Sequence, residues 1–412
     1  MNSVFVRRVT LRQYKSIEHC DVRLGPLTIL VGANGAGKSN FVDALCFVRD
    51  ALRESLDFAF RNRSGIGEVR RRSGGHPTHI GIRLDVAMGG LNGHYAFEIK
   101  ALPNAGYEVK REQCVIREGS AVHEFDVAAG EVKSCSARAF PAAVKDRLYL
   151  VNASGLPQFR PLYDSLSMMG FYNLNPTLLR DLQEPDEGIL LEKYGVNLAS
   201  VIARLERSGD SRMARISEYL SRVAPSVHGV QFEAIGPKHT MLFRQDVEGQ
   251  TQPWKFWASN MSDGTLRALG VLTAVFQRDK EAKVSLVAIE EPEAALHPAA
   301  ARVLLDSLIE SSAHVQILLT SHSADLLDRE EVKAENLLAV ESVRGVTRIG
   351  AVDRVARDAL KEHLFTAGEL LRQEQLTPEP QLFDKAKHTQ DLFGAEHETL
   401  ILSNQDDGVH TV

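Results

Sequence analysis

The residues with the clearest chemistry lie in "LTILVGANGAGKSN". Gly32, Gly37, Lys38 and Ser39 fit the pattern G-x-x-x-x-G-K-[ST], and the motif sits between the strand and helix it needs. Leu27 to Val31 reads as a buried strand, while Phe41, Leu45, Val48 and Leu52 recur at helical spacing. A glycine-rich turn lets backbone N–H groups curl around phosphate oxygens, and the helix start behind it favours the anion. The loop Gly32, Ala33, Asn34, Gly35, Ala36, Gly37, Lys38, Ser39 and Asn40 is therefore expected to cradle ATP. Lys38 is expected to reach the β- and γ-phosphates, and the Ser39 hydroxyl to ligate Mg²⁺.

Carboxylates for hydrolysis occur in "VSLVAIEEPEAALHP". Val284 to Ile289 is a near-continuous apolar run, as in a central parallel strand covered on both faces. It ends in Glu290 and Glu291, where an α/β sheet places its ligands, at the carboxyl ends of strands. Glu290 would hold Mg²⁺ directly or through water, and Glu291 would orient and polarise the attacking water. A further strand, Val315 to Thr320 in "VQILLTSHSADLLD", ends at His322, which could donate to the γ-phosphate. In isolation these residues read as an acidic turn and a lone histidine; the phosphate loop gives them a site.

In "NMSDGTLRALG" a Ser-Asp-Gly turn opens a strongly apolar helix with the core stripe Leu266, Leu269, Leu272 and Phe276. Ser262 or Asp263 suits the N-cap, and the helix dipole favours an anion there.

Between these halves lies the segment that must position them. Ile80, Ile82, Leu84 and Val86 alternate, as do Tyr95, Phe97 and Ile99, with "GGLNG" as a turn between them. This predicts an antiparallel meander. From Pro141 the pattern turns helical, with Leu198, Val201, Ile202 and Leu205 on one face and Met213, Ile216, Leu220 and Val223 on another. No heptad is sustained, so a compact helical lobe is expected. The expected fold is an α/β P-loop NTPase with a mixed central sheet, an antiparallel β-lobe and a helical insertion. Its expected divisions are 1–140 (first half of the head), 141–226 (insertion), 227–355 (second half) and 356–412 (a helix around Ala356 to Arg372 and a polar tail).

With 412 residues and a formal charge of −6, a generally basic nucleic-acid coat is excluded, but not a local patch. "RNRSGIGEVRRRSGG" offers such a patch for DNA or RNA phosphates at Arg61 to Arg72, or simply a solvated loop. "HPTH" (His76, His79) lacks a further ligand set for a metal, and Tyr172 in "FYNLNPTLLR" reads less as a base-stacking ring than as part of a helix start at Asn175-Pro176. Four cysteines without a CxxC pair, no apolar leader and no membrane-length apolar run lead us to expect a cytoplasmic protein.

In order, then, the chain has a phosphate loop, a Ser-x-Gly helix start, an apolar strand ending in two acids and Pro, and a strand ending in Ser-His. This resembles the ABC-type ATPase head shared by SMC, RecF and OLD-like proteins. It looks closest to stand-alone prokaryotic ATPases of that group, several of which belong to anti-phage defence operons. The likeness covers Phe5 to about Glu54 and about Val227 to Val352. It implies that "EEPEAALH" is the Walker B and D-loop segment, with Glu290 where the family has a Mg²⁺-associated Asp, Glu291 as the catalytic carboxylate and His322 as the switch histidine. Ser262, Asp263 and Gly264 would form the signature, in place of the more usual Ser-Gly-Gly.

In such heads two copies pack head-to-tail, each signature closing over the γ-phosphate held by the other copy's loop. Asp263 would repel that phosphate unless it caps the helix or bonds across the dimer. Arg12 and Lys15 lie where related heads sometimes contact nucleotide. OLD-like nucleases add a TOPRIM domain after the head; the tail here, with an isolated "QDDG", is too short for one. The resemblance thus implies an ATPase that regulates a separate effector, such as a nuclease, in bacterial defence. A RecF-like repair ATPase and a transporter's ATPase subunit are the alternatives.

Overall fold

A computed structural model describes residues 5–72, 79–278, 283–380 and 392–394; His76 and "QDDG" lie outside them. The chain opens with the hairpin β1 (Val6–Tyr14) and β2 (Ile17–Arg23), then β3 (Leu27–Val31), α1 (Lys38–Arg53), α2 (Leu56–Arg61) and α3 (Ile66–Val69). A meander follows: β4 (Ile80–Met88), β5 (Leu91–Ala101), β6 (Tyr107–Glu118), β7 (Ala121–Ala128) and β8 (Glu131–Cys135). Next come α4 (Tyr149–Ala153), α5 (Arg160–Ser167), β9 (Gly170–Tyr172), α6 (Pro176–Arg180), α7 (Leu198–Ser208) and α8 (Ser211–Val223). A second small sheet, β10 (Val227–Ile235), β11 (Lys238–Gln245) and β12 (Trp254–Trp257), leads into α9 (Asp263–Phe276). The last elements are β13 (Leu286–Glu290), α10 (Pro298–Ser311), β14 (Gln316–Ser321), α11 (Ala324–Leu327), β15 (Leu337–Val343), β16 (Val346–Ala351), α12 (Arg354–Lys361) and α13 (Ala367–Arg372).

Among the described residues, thirteen strands join one mixed sheet in the order β8-β7-β6-β5-β4-β1-β2-β16-β15-β3-β14-β13-β9. The expected α/β class with a mixed central sheet and antiparallel lobe holds, and that lobe is a continuation of the main sheet. β3, β14, β13 and β9 run parallel. Their alternating residues feed opposite faces: Ile29, Val287 and Ile317 enter one hydrophobic cluster, Leu30, Ala288 and Leu318 the other. Burial on both faces is why these strands read as unbroken apolar runs.

Two segments differ from expectation. The stretch expected to be helical contributes β9, which pairs Gly170 to Tyr172 with Val287 to Ile289. Three residues are too few to show alternation. The helix expected around Ala356 to Arg372 is two helices, because Thr366 and Glu369 form a capping box that starts α13.

Candidate nucleotide site

β14 lies between β3 and β13, and the register aligns Val31 with Ser321 and Glu290 with Thr320. The phosphate loop, Glu290-Glu291 and His322 therefore leave the sheet side by side, at its carboxyl edge. The loop is tight. Gly32, Gly35 and Gly37 all have positive φ. A Cβ on Gly32 would lie 2.1 Å from the Val340 carbonyl, and one on Gly37 2.1 Å from the Thr347 hydroxyl. Only glycine permits both the conformation and the approach. The β15–β16 hairpin thus buttresses the loop, and Thr347 donates to the Ala36 carbonyl at 2.9 Å.

Gly37 is also the N-cap of α1, and no side chain caps that helix, so its first-turn N–H groups face the loop. Ala33, Asn34, Gly35 and Ser39 are exposed at the same end, while Ala36 is buried beneath it. Buried Lys38 donates to the carbonyls of Gly32 (2.7 Å) and Ala33 (3.0 Å). Burial lowers its pKa against the opposing pull of Glu291 and Glu293, which places both carboxylates in its field. The Asn40 amide instead donates to Ser16 at 2.6 Å, so its side chain holds the loop to the β1–β2 turn rather than lining it.

Glu291 is the most constrained residue of the site. Its φ is 45°, a left-handed conformation that costs a non-glycine residue of order 1 kcal/mol. Its N–H donates to the Thr320 carbonyl at 3.0 Å. Its carboxylate, about 40% exposed, meets His322 Nδ1 at 3.2 Å. Arg267, buried in α9, donates to the carbonyls of Glu290 and Glu291 at 3.0 Å each and of Leu174 at 2.7 Å. The helix opened by Ser262 is therefore bonded directly to the backbone carrying both acids.

Glu293 is a third carboxylate, buried, with one oxygen accepting from Ser321 at 2.6 Å and the other unpartnered. Burial raises its pKa. Neither Arg267 nor Glu293 was singled out by sequence. A charged residue inside an apolar helix, and a third acid two positions past a pair, were the only signals.

Ser39, Glu290 and Glu291 offer hard oxygen donors suited to Mg²⁺. Among the described residues no three His, Cys, Asp or Glu gather closely enough to hold a metal alone.

At the signature, Ser262 is the N-cap of α9, accepting from Thr265 N–H at 3.2 Å. Asp263 is not the cap. It pairs with Arg180 at the end of α6, whose guanidinium also donates to the Met261 carbonyl at 3.0 Å. The charge expected to cap the helix or bond across a dimer thus has an intrachain partner instead. A Cβ on Gly264 would lie 2.6 Å from the Ala295 carbonyl, so this glycine lets α9 seat on the "EEPEAALH" turn. Every residue from Gly264 to Phe276 is buried, beyond the single stripe expected.

The remaining candidates fall elsewhere. Tyr172 is fully buried with its hydroxyl accepting from Gln277 at 2.7 Å, so it stacks on no base; Asn175 caps α6 as expected. Lys15 pairs with Asp43 at 2.6 Å. In the arginine-rich segment, Arg63 is held by Asp43 and Asp50, Arg61 by Asp57, Arg71 by Glu18 and Arg72 by Glu68. These arginines serve local pairing first.

Residues 27–99 and 140–328, well over half of the chain, match the family described as "AAA domain, putative AbiEii toxin, Type IV TA system". The chain belongs to this AAA-domain family. It is 21% identical over 355 residues to the "Old nuclease" of Escherichia phage P2, covering 79% of this chain and 57% of that relative. The chain thus spans little more than half the length of that relative. Its fold is similar to the crystal structure of an SMC head bound to the C-winged helix domain of ScpA (TM-score 0.55, 14% identity, 87% of this chain and 99% of that one). It is also similar to the Pyrococcus furiosus Smc head with an extended coiled coil bound to the C-terminal domain of ScpA (TM-score 0.52, 14% identity, the same coverages). The fold of this AAA-domain protein is thus similar to that of SMC heads, as its motifs implied. No helix among its described residues is long and apolar enough to cross a membrane.

Proposed function

We propose that this AAA-domain protein binds and hydrolyses ATP as a head-to-tail dimer, and that the cycle regulates a separate effector in a bacterial defence or DNA-processing system. The observation that carries the reading is the convergence of Lys38, Glu291 and His322 at the ends of neighbouring parallel strands, with Ser262 exposed at the start of a buried helix.

The backbone from Gly32 to Ser39 holds the phosphates, and Lys38 turns from the loop carbonyls to the β- and γ-phosphates. Ser39 and Glu290 would hold Mg²⁺, which would supply neutralisation of charge on the phosphates. Glu290 carries one methylene more than the family's Asp, which suits contact through water. Glu291 orients the attacking water, and His322, hydrogen-bonded to it, fixes its carboxylate and faces the γ-phosphate. Arg267 holds both acids in place from behind. Ser262 and the α9 dipole complete the site of a second copy, with Arg180 neutralising Asp263 so that the approach to triphosphate is not repulsive.

Relatives named for a toxin–antitoxin system and for a nuclease support a defence role. Glu291→Gln tests the core of the reading. It should bind ATP, turn over about 10²- to 10⁴-fold more slowly, and accumulate as a dimer in sedimentation. Normal turnover by this variant would reject Glu291 as the catalytic carboxylate.

A further inference from the structure

On β4, Ile80, Ile82, Leu84 and Val86 face the core, so Gly81, Arg83 and Asp85 face outward. One face of an antiparallel lobe is ordinarily wetted. Here the outward residues are buried too: Arg83 is 1% exposed and Asp85 7%. What covers them includes the short segment Leu392-Phe393-Gly394, far away in sequence.

The contacts are specific. Leu392 is 1% exposed and packs so closely over Gly81 that a Cβ there would lie 2.3 Å from its Cδ1. The Arg83 guanidinium donates to the Leu392 carbonyl at 2.9 Å and to the Gly394 carbonyl at 3.4 Å, while its Nε donates to Asp85 at 2.9 Å. The Arg111 guanidinium, from β6, lies 4.4 Å from the Phe393 ring centroid. An apolar side chain fills a glycine notch, an aromatic ring meets a cation, and a buried arginine reads backbone carbonyls. That combination recognises a peptide.

We propose that the outer face of the β-lobe, centred on Gly81, Arg83 and Arg111, is a peptide-docking site whose occupant is this chain's own Leu392-Phe393-Gly394. Reach permits docking within one chain. Glu379 N–H donates to the Ala351 carbonyl at the end of β16, and only β2 and β1 separate β16 from β4. Crossing those strands needs about 14 Å, and the intervening stretch of roughly a dozen residues spans up to about 40 Å. Tethering at that length gives a high effective concentration, so the segment outcompetes an equal segment from another copy.

The test uses the full chain with the photoreactive residue p-benzoylphenylalanine at position 393. Irradiation should give cross-links concentrated on β4 and β6, mapped by mass spectrometry. Gly81→Leu, which fills the notch, should reduce them about tenfold with circular dichroism unchanged. Should Gly81→Leu misfold, Leu392→Asp removes the anchor from the tail side and should give the same loss. Cross-links scattered elsewhere, or persisting in the folded variants, would overturn the site. In a mixture of isotopically heavy and light chains, cross-linked peptides should be all heavy or all light. Mixed pairs at the random level would overturn docking within one chain.

Discussion

The parallel half of the sheet and the antiparallel lobe each hold a glutamate in a fixed setting, and they use it differently. In the lobe, Glu112 is fully buried and spends its oxygens locally, accepting from the Tyr95 hydroxyl and from the N–H groups of Tyr149 and Leu150 at the start of α4. In the parallel half, Glu291 is held in a left-handed backbone by Arg267 and Thr320, and its carboxylate is left half-exposed beside His322. The lobe satisfies its acid to fix a fold; the parallel half constrains the backbone and leaves the acid available. A backbone held in this way by surrounding bonds is what the proposed role of Glu291 would use.

That contrast can be broken by experiment. Arg267→Met removes the bonds that hold Glu290 and Glu291 but keeps an unbranched stem of similar bulk. It should lower kcat by about 100-fold while changing ATP affinity only a few-fold. Equal losses in both would make Arg267 merely structural, and Arg267→Lys should recover part of kcat.

Glu112 should instead show itself in stability. Burial pushes its carboxyl up to about 7 against the lowering effect of its three hydrogen bonds. A folded pKa above the unfolded value of about 4.3 means that the folded state holds its proton more tightly. The contribution is therefore complete below the unfolded pKa and is lost as pH rises to about 7. The loss is on the order of 4 kcal/mol at most. Glu112→Gln should flatten unfolding free energy over that window, measured by urea titration, with ATP turnover unchanged at the pH of highest stability. An unaltered pH slope would refute it.

The smallest expected effect belongs to the exposed Arg180–Asp263 pair. Arg180→Ala should weaken ATP-dependent dimerisation of the Glu291→Gln protein by a few-fold, about 1 kcal/mol, and adding Asp263→Asn should restore it. No rescue would mean that Asp263 charge is not what Arg180 answers.

Legibility followed the range of the contacts. Strands covered on both faces announce themselves as apolar runs, and the loop's glycines, Lys38 and Ser39 form a local pattern, so β3, β13, β14 and the loop could be read directly. The roles of Arg267 and Arg180 depend on partners from 23 to 93 residues away, and no local pattern encodes these contacts. Glu293 hid beside a more conspicuous pair. Gly264 was assigned to the signature by resemblance, while its close approach to Ala295 is set by tertiary packing that no local pattern encodes. The split between α12 and α13 was legible in Thr366 and Glu369, whose spacing is that of a capping box.

Shared sites between two copies are tested most directly by mixing two disabled variants. Lys38→Ala removes a chain's own phosphate grip, and Ser262→Arg blocks what it lends its neighbour. Each alone should be inactive. A one-to-one mixture should recover about a quarter of wild-type turnover, because half of the dimers regain one of two sites. Wild-type turnover by Ser262→Arg alone, or a mixture as inactive as its parts, would contradict the head-to-tail arrangement.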